Sequence, residues 1–149
     1  MSSKLRTVRT GVIGVGSMGQ NHARVYSEIS NLVGISDLNV KQGKKIAKSL
    51  GIDFYSDYRD LIGKVDAVSI AVPTTYHYPI AKDFANAGIH LLVEKPLAQS
   101  VEEAEKIISV ADKAGIILGV GHIERHNEVI KNSKKYLESG LWGKPITFS

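Results

Sequence analysis

Gly14-Val-Gly-Ser-Met-Gly19 sets three glycines in the spacing G-x-G-x-x-G. A short apolar run, Thr10-Gly-Val-Ile-Gly-Val, leads into it, and a helical periodicity leaves it. That is the setting in which such a loop holds a dinucleotide. Gly14 permits a tight turn, Gly16 lets the backbone approach a pyrophosphate, and Gly19 lets the helix pack close to the strand. Ser17 and Met18 open the helix, whose free N–H groups and partial positive charge suit phosphate. A glycine-rich turn without a ligand is the alternative. Asp37 ends the second apolar run, 18 residues beyond Gly19. A carboxylate there accepts from both ribose hydroxyls of an adenosine and repels a 2′-phosphate, which favours NAD over NADP. Lys41, one turn on, softens that rejection and keeps NADP possible. The alternative for Asp37 is a strand-end turn residue or a cap on the next helix.

Three further polar stretches follow apolar runs. In Val72-Pro-Thr-Thr-Tyr-His77, Pro73 stops the strand because it cannot donate to the ladder. Thr74 or Thr75 can cap the helix that follows, and His77 sits in its first turn, facing either a ligand or solvent. Glu94-Lys-Pro96 follows Leu91-Leu-Val93 directly. Lys95 beside a nicotinamide can hold a substrate hydroxyl and assist its proton transfer; a surface pair with Glu94 is the equal alternative. Gly121-His-Ile-Glu-Arg-His-Asn127 places His122 and His126 at i, i+4, a spacing found at metal sites. No third ligand stands at a recognisable spacing, so no metal is expected. An anion- or sugar-facing rim through Arg125 and Asn127 fits better, although Asn127 can equally cap the helix running to Leu137.

The elements needed to position these residues are visible as alternating patterns. Short runs at 10–15, 32–36, 66–72, 89–93 and 115–120, with a weaker Asp53-Phe-Tyr, read as strands buried on both faces. Helical periodicity fills Met18 to Ile29, Val40 to Leu50 and Tyr76 to Ala87. Ser100-Val-Glu-Glu103 is a capping box ahead of a stripe of Val101, Ala104, Ile107, Ile108 and Ala111, stopped by Gly115. Alternating strand and helix predicts an α/β, doubly wound parallel sheet in the order 3-2-1-4-5-6.

The 149 residues make one domain or the front half of a two-domain protein. A composition of 43% hydrophobic and 23% charged residues is globular. The absence of cysteine excludes disulfides, thiolate metal sites and cysteine nucleophiles. No apolar run approaches the roughly 18 residues of a membrane span, and the first residues lack a signal-peptide core, so a cytoplasmic location and no membrane partner are expected. The net charge of +4 is scattered. Its densest clusters, Lys41/Lys44/Lys45/Lys48 and Lys131/Lys134/Lys135, read as solvated helix faces, and no nucleic-acid partner is expected.

In order, the Gly11–His22 stretch, Asp37, Val72-Pro-Thr-Thr-Tyr-His, Glu94-Lys-Pro-Leu-Ala and Gly121-His resemble the nucleotide-binding half of the glucose–fructose oxidoreductase/inositol dehydrogenase (Gfo/Idh/MocA) family. The resemblance covers nearly the whole chain, and Glu-Lys-Pro is its most specific sign. It implies a Rossmann fold and NAD(P)-dependent chemistry on a hydroxyl of a sugar, cyclitol or nucleotide-sugar. By the same resemblance, Gly14, Gly16, Ser17, Met18, Gly19 and Asp37 bind the cofactor. Pro73, Thr74 and His77 line its nicotinamide side, and Glu94 contacts it. Lys95 matches the catalytic lysine, with His122 and Arg125 facing substrate. The wording from Gly121 to Asn127 is similar to members acting on UDP-N-acetylglucosamine, although Glu128 stands where those carry proline.

The family also has a second, substrate-binding domain, and this chain is expected to stop where that domain begins. Residues 1–149 are therefore expected to be the cofactor domain, with 141–149 beginning the missing one, and the chain alone is expected to be inactive. A homo-oligomer is expected of the full-length form. An apolar patch is expected at Leu141, Trp142, Ile146 and Phe148, where the second domain docks. The competing readings are a stand-alone nucleotide-binding or NAD-sensing module, for which Lys95 has no use, and a scaffold with a vestigial loop.

Overall fold

A computed structural model describes residues 8–143. Six parallel strands form one sheet: β1 (Arg9–Ile13), β2 (Asn31–Ser36), β3 (Asp53–Tyr55), β4 (Ala67–Ile70), β5 (His90–Val93) and β6 (Leu118–Val120). Their spatial order is β3-β2-β1-β4-β5-β6, as the alternating pattern predicts. The connecting helices are α1 (Ser17–Ile29), α2 (Val40–Leu50), α3 (His77–Asn86) and α4 (Val101–Ala114), followed by α5 (Glu128–Glu138).

Side-chain alternation along each strand feeds two cores. Val12, Ile35, Ala23 and Ala47 close one face beneath α1 and α2. Ile13, Val68, Ile70, Phe84, Val93 and Ile107 close the other beneath α3 and α4. Each fully buried Val, Ile or Phe contributes about 1.5–3 kcal/mol over an exposed one, so both faces must stay covered. The central strands are buried as expected, but the edge strands β3 and β6 are only half-buried, because each pairs on one side alone.

The capping box forms: Ser100 Oγ accepts from Glu103 N–H at 3.2 Å. Its reciprocal bond goes one residue back, from Gln99 N–H to the Glu103 carboxylate at 3.1 Å. The apolar stripe on α4 is narrower than its sequence suggests. Ile107 and Ala111 are buried, whereas Val101 is 70% and Ile108 45% exposed. Those two lie at the margins of the stripe, beyond the reach of the sheet.

The helix expected from Tyr76 begins instead with a 3-10 turn, Thr74–Tyr76, and neither threonine caps it. Asn127 does cap α5, its side chain accepting from Val129 N–H at 2.9 Å. No residue of α5 is buried. Leu141 and Trp142 are exposed, with Trp142 stacked on Tyr136 at 5.3 Å. Ile146 and Phe148 lie outside the described residues.

Candidate dinucleotide site and lysine rim

The ladder bonds that end the strands gather the polar stretches on one edge. Gly14 N–H donates to Ser36 O at 2.8 Å, and Ala71 N–H to Ile13 O at 2.8 Å. Glu94 N–H donates to Ile70 O at 3.0 Å, and Gly121 N–H to Val93 O at 2.8 Å. The glycine loop and the ends of β2, β4, β5 and β6 thus share the carboxyl rim, where open α/β sheets bind ligands.

The three loop glycines serve different ends. Gly14 has φ +82°, and a Cβ there would lie 2.7 Å from Ala71 O. A Cβ on Gly19 would run into the Gly14 carbonyl. Both positions are therefore demanded by the protein's own backbone. Gly16 differs: its φ is −66°, and a Cβ would meet nothing within 4 Å. No contact with the described residues requires glycine there, which leaves room at the surface of the loop. Gly16 is also the N-cap of α1, and no side chain caps that helix. The first-turn N–H groups, at exposed Ser17 and Met18, are left to bind an anion.

A cavity of about 640 Å³ opens beside the loop, lined by Gly14, Gly16, Asp37, Leu38, Val72, Pro73 and Tyr76 among others. Asp37 already accepts two backbone bonds, from Val15 N–H at 2.7 Å and from Asn39 N–H at 2.6 Å. The strand-end turn reading is thus met, and the same side chain stands at the cavity wall. A carboxylate offers about four acceptor positions, so two remain for ribose hydroxyls. The open Gly16, the uncapped helix and Asp37 together suit a dinucleotide. Lys41, Lys44, Lys45 and Lys48 are all exposed on α2.

Tyr58 forms the far wall of the cavity and donates to Asp83 at 2.8 Å, with the Arg59 guanidinium 4.5 Å above its ring. Burial, then the Asp83 bond, pushes its phenol up to about 12. The folded state therefore favours the neutral phenol. That contribution is full below the ordinary value of 10.0 and is lost as pH rises towards about 12. Tyr58→Phe is expected to flatten the fall in stability across this window, read by urea melts of both proteins at stepped pH. An unchanged slope would remove Tyr58 from the alkaline limb.

The remaining rim residues separate into buried and exposed. His77 is 1% exposed, neither solvent-facing nor open to a ligand. Its Nδ1 lies 3.1 Å from Leu97 O and its Nε2 3.0 Å from Val72 O, so it ties the β4 rim to the β5 rim. Pro73 is exposed and lines the cavity, and Thr74 beside it is half-buried. Glu94 is 6% exposed and does not pair with the Lys95 ammonium. Its Oε1 lies 2.8 Å from His22 Nε2, and its Oε2 accepts from Lys95 N–H at 3.1 Å.

Lys95 itself is exposed and precedes Pro96 through a cis peptide bond. Among the described residues its ammonium has no hydrogen-bond or ion-pair partner on the protein, which removes the surface-pair alternative. His122 and Arg125 are exposed on the 3-10 turn Ile123–His126 and its flank. Among the described residues no three His, Asp or Glu side chains converge as metal ligands, and no helix is long and apolar enough to cross a membrane.

His22 was not singled out from the sequence, yet it is the side chain that reaches Glu94. The signal available was its place three residues after Gly19, one turn along the inner face of α1.

Comparison with known proteins agrees with this geometry. The family model for the Gfo/Idh/MocA oxidoreductase family, NAD-binding Rossmann fold, matches residues 8–122. UDP-N-acetylglucosamine 3-dehydrogenase of Acidithiobacillus ferrooxidans is 38% identical over 93% of this chain and 43% of its own length. Myo-inositol 2-dehydrogenase of Thermotoga maritima is 33% identical over 93% of this chain and 43% of its own length. Among solved structures, the Acidithiobacillus enzyme superposes with a TM-score of 0.83 over 86% of this chain and 42% of that one. The WlbA dehydrogenase of Bordetella pertussis, solved with NADH and UDP-GlcNAcA, superposes with a TM-score of 0.85 at 29% identity, over 93% of this chain and 44% of that one. The chain spans less than half the length of these relatives. It belongs to the Gfo/Idh/MocA oxidoreductase family and is an NAD-binding Rossmann domain of that family.

Proposed function

We propose that the chain is the cofactor half of a dehydrogenase that interconverts a secondary hydroxyl and a carbonyl on a sugar, cyclitol or nucleotide-sugar, with UDP-N-acetylglucosamine the first substrate to test. The observation that carries this is Lys95: an exposed ammonium, unpartnered among the described residues, on the rim that holds the glycine loop, its backbone anchored by a buried carboxylate. A module that only bound nucleotide would have no use for it.

Ser17 and Met18 N–H groups hold the pyrophosphate, Gly16 gives it room, and Asp37 takes the adenosine ribose hydroxyls. Pro73 and Thr74 flank the nicotinamide end. When bound, NAD supplies the hydride acceptor. The Lys95 ammonium would donate a hydrogen bond to the substrate oxygen and assist as the hydroxyl becomes a carbonyl, the hydroxyl proton passing to a partner base. His122 and Arg125 meet the polar or anionic part of the substrate. The rest of the pocket, and a partner base for Lys95, belong to a second domain beginning near residue 141. A homo-oligomer of the longer protein and a cytoplasmic setting complete the reading.

The test is to fuse the chain to the unmatched remainder of the Acidithiobacillus relative and follow NADH formation with UDP-N-acetylglucosamine and with myo-inositol. Turnover with either is the expected result. NADH binding by the fusion without turnover on any polyol would favour the sensing module instead.

A further inference from the structure

The polar groups beneath the rim form a continuous chain of contacts. Ser69 on β4 is fully buried, and its Oγ lies 2.6 Å from His22 Nδ1. His22 Nε2 lies 2.8 Å from Glu94 Oε1, with side-chain exposures of 12% and 8%. The other Glu94 oxygen holds the Lys95 N–H. Tyr26 lies one turn along α1 from His22, and burial raises its phenol.

One arrangement of donors and acceptors satisfies every contact. Glu94 as a carboxylate only accepts, so His22 carries its proton on Nε2 and donates it there. Its Nδ1 then accepts from the Ser69 hydroxyl. The Ser–His–Glu order is that of a nucleophilic triad, but Ser69 is sealed inside the sheet, so no substrate reaches it. The exposed end of this chain of contacts is Lys95. The space around Glu94 is closed as well: a Cβ on Gly121 would lie 2.8 Å from Glu94 Oε1 and 2.9 Å from its Cδ.

We infer that His22 is a positioning residue: anchored by Ser69, it fixes the Glu94 carboxylate and through it the Lys95 backbone on which the reactive ammonium is carried. The reactivity of that ammonium rests on the proposed function; the anchoring of Lys95 does not.

Two substitutions separate this role from general packing. His22→Gln can still place an amide donor towards Glu94, whereas His22→Asn keeps a polar group on the Ser69 side and falls short of Glu94. Amide hydrogen exchange on the whole chain reads the Lys95 N–H directly. His22→Asn is expected to speed exchange at Lys95 about tenfold, with Val12 and Val68 amides unchanged, and His22→Gln to restore it. Equal protection at Lys95 in both variants, or loss there only in step with Val12 and Val68, would overturn the inference.

A double-mutant comparison of the same exchange rate adds a second readout. His22→Asn is expected to speed exchange at Lys95 about tenfold in the native background and not further in Glu94→Gln, since the two act through one contact. Additive losses would overturn it. If the native chain bound no NADH, the proposed function would fail, while exchange at Lys95 would still decide the part played by His22.

Discussion

Gly16→Ala is expected to leave the protein folded and to abolish dinucleotide binding. The new methyl meets none of the described residues within 4 Å, and the local φ of −66° suits alanine. Alanine is a poorer N-cap than glycine, a cost of some tenths of a kcal/mol to about 1 kcal/mol, partly offset by a stiffer unfolded chain. Tm should move by only a few degrees. The same methyl fills the approach to the first turn of α1. A phosphate forced outward loses two or more charge-assisted bonds worth about 1.5–3 kcal/mol each, so NADH affinity should fall by about a hundredfold or more.

Gly19→Ala makes the contrast. Its methyl runs into the Gly14 carbonyl, and only separation of α1 from the loop relieves it. That overpacking should cost about 3 kcal/mol or more and lower Tm sharply. Thermal melts and NADH titration of the two variants check both halves. If Gly16→Ala bound NADH normally, the loop would not be a phosphate cradle.

Lys95→Met in the fusion with the Acidithiobacillus remainder is expected to cut kcat about a thousandfold while leaving NADH affinity within a few fold. A positioned acid–base group contributes roughly 10²–10⁴ to rate. Because the Lys95 ammonium has no bonding partner among the described residues, its removal disturbs no native contact there. Methionine retains most of the stem, so the loss is of charge and proton transfer rather than packing. A fall in NADH affinity alongside an unchanged kcat would assign Lys95 to cofactor binding. Stopped-flow single turnovers separate the two, since they read the hydride step without product release.

Sequence patterns located most of the local chemistry, because local chemistry is what sequence spacing encodes. The glycine loop lies within six residues of chain, the capping box within four, and the strand order follows from right-handed crossovers between successive apolar runs. What escaped lies in long-range contacts. His22 meets Ser69 across 47 positions and Glu94 across 72, and no spacing rule joins them. His77 looked like a rim residue on sequence grounds; its first-turn position on α3 turned it inward to two backbone carbonyls. Gly43 interrupts a helical pattern for a reason found only in the partner strand, since a Cβ there would enter the Phe54 ring. Val101 and Ile108 face outward because a helical stripe defines a direction but not the width of the surface that covers it.

Calorimetric titration of the chain with NADH and, separately, NADPH tests the central claim most directly. The account predicts NADH binding at least tenfold tighter than NADPH, with the preference lost in Asp37→Ala, because the Asp37 carboxylate at the cavity wall accepts ribose hydroxyls and repels a 2′-phosphate. Binding of neither nucleotide by the folded chain would contradict it.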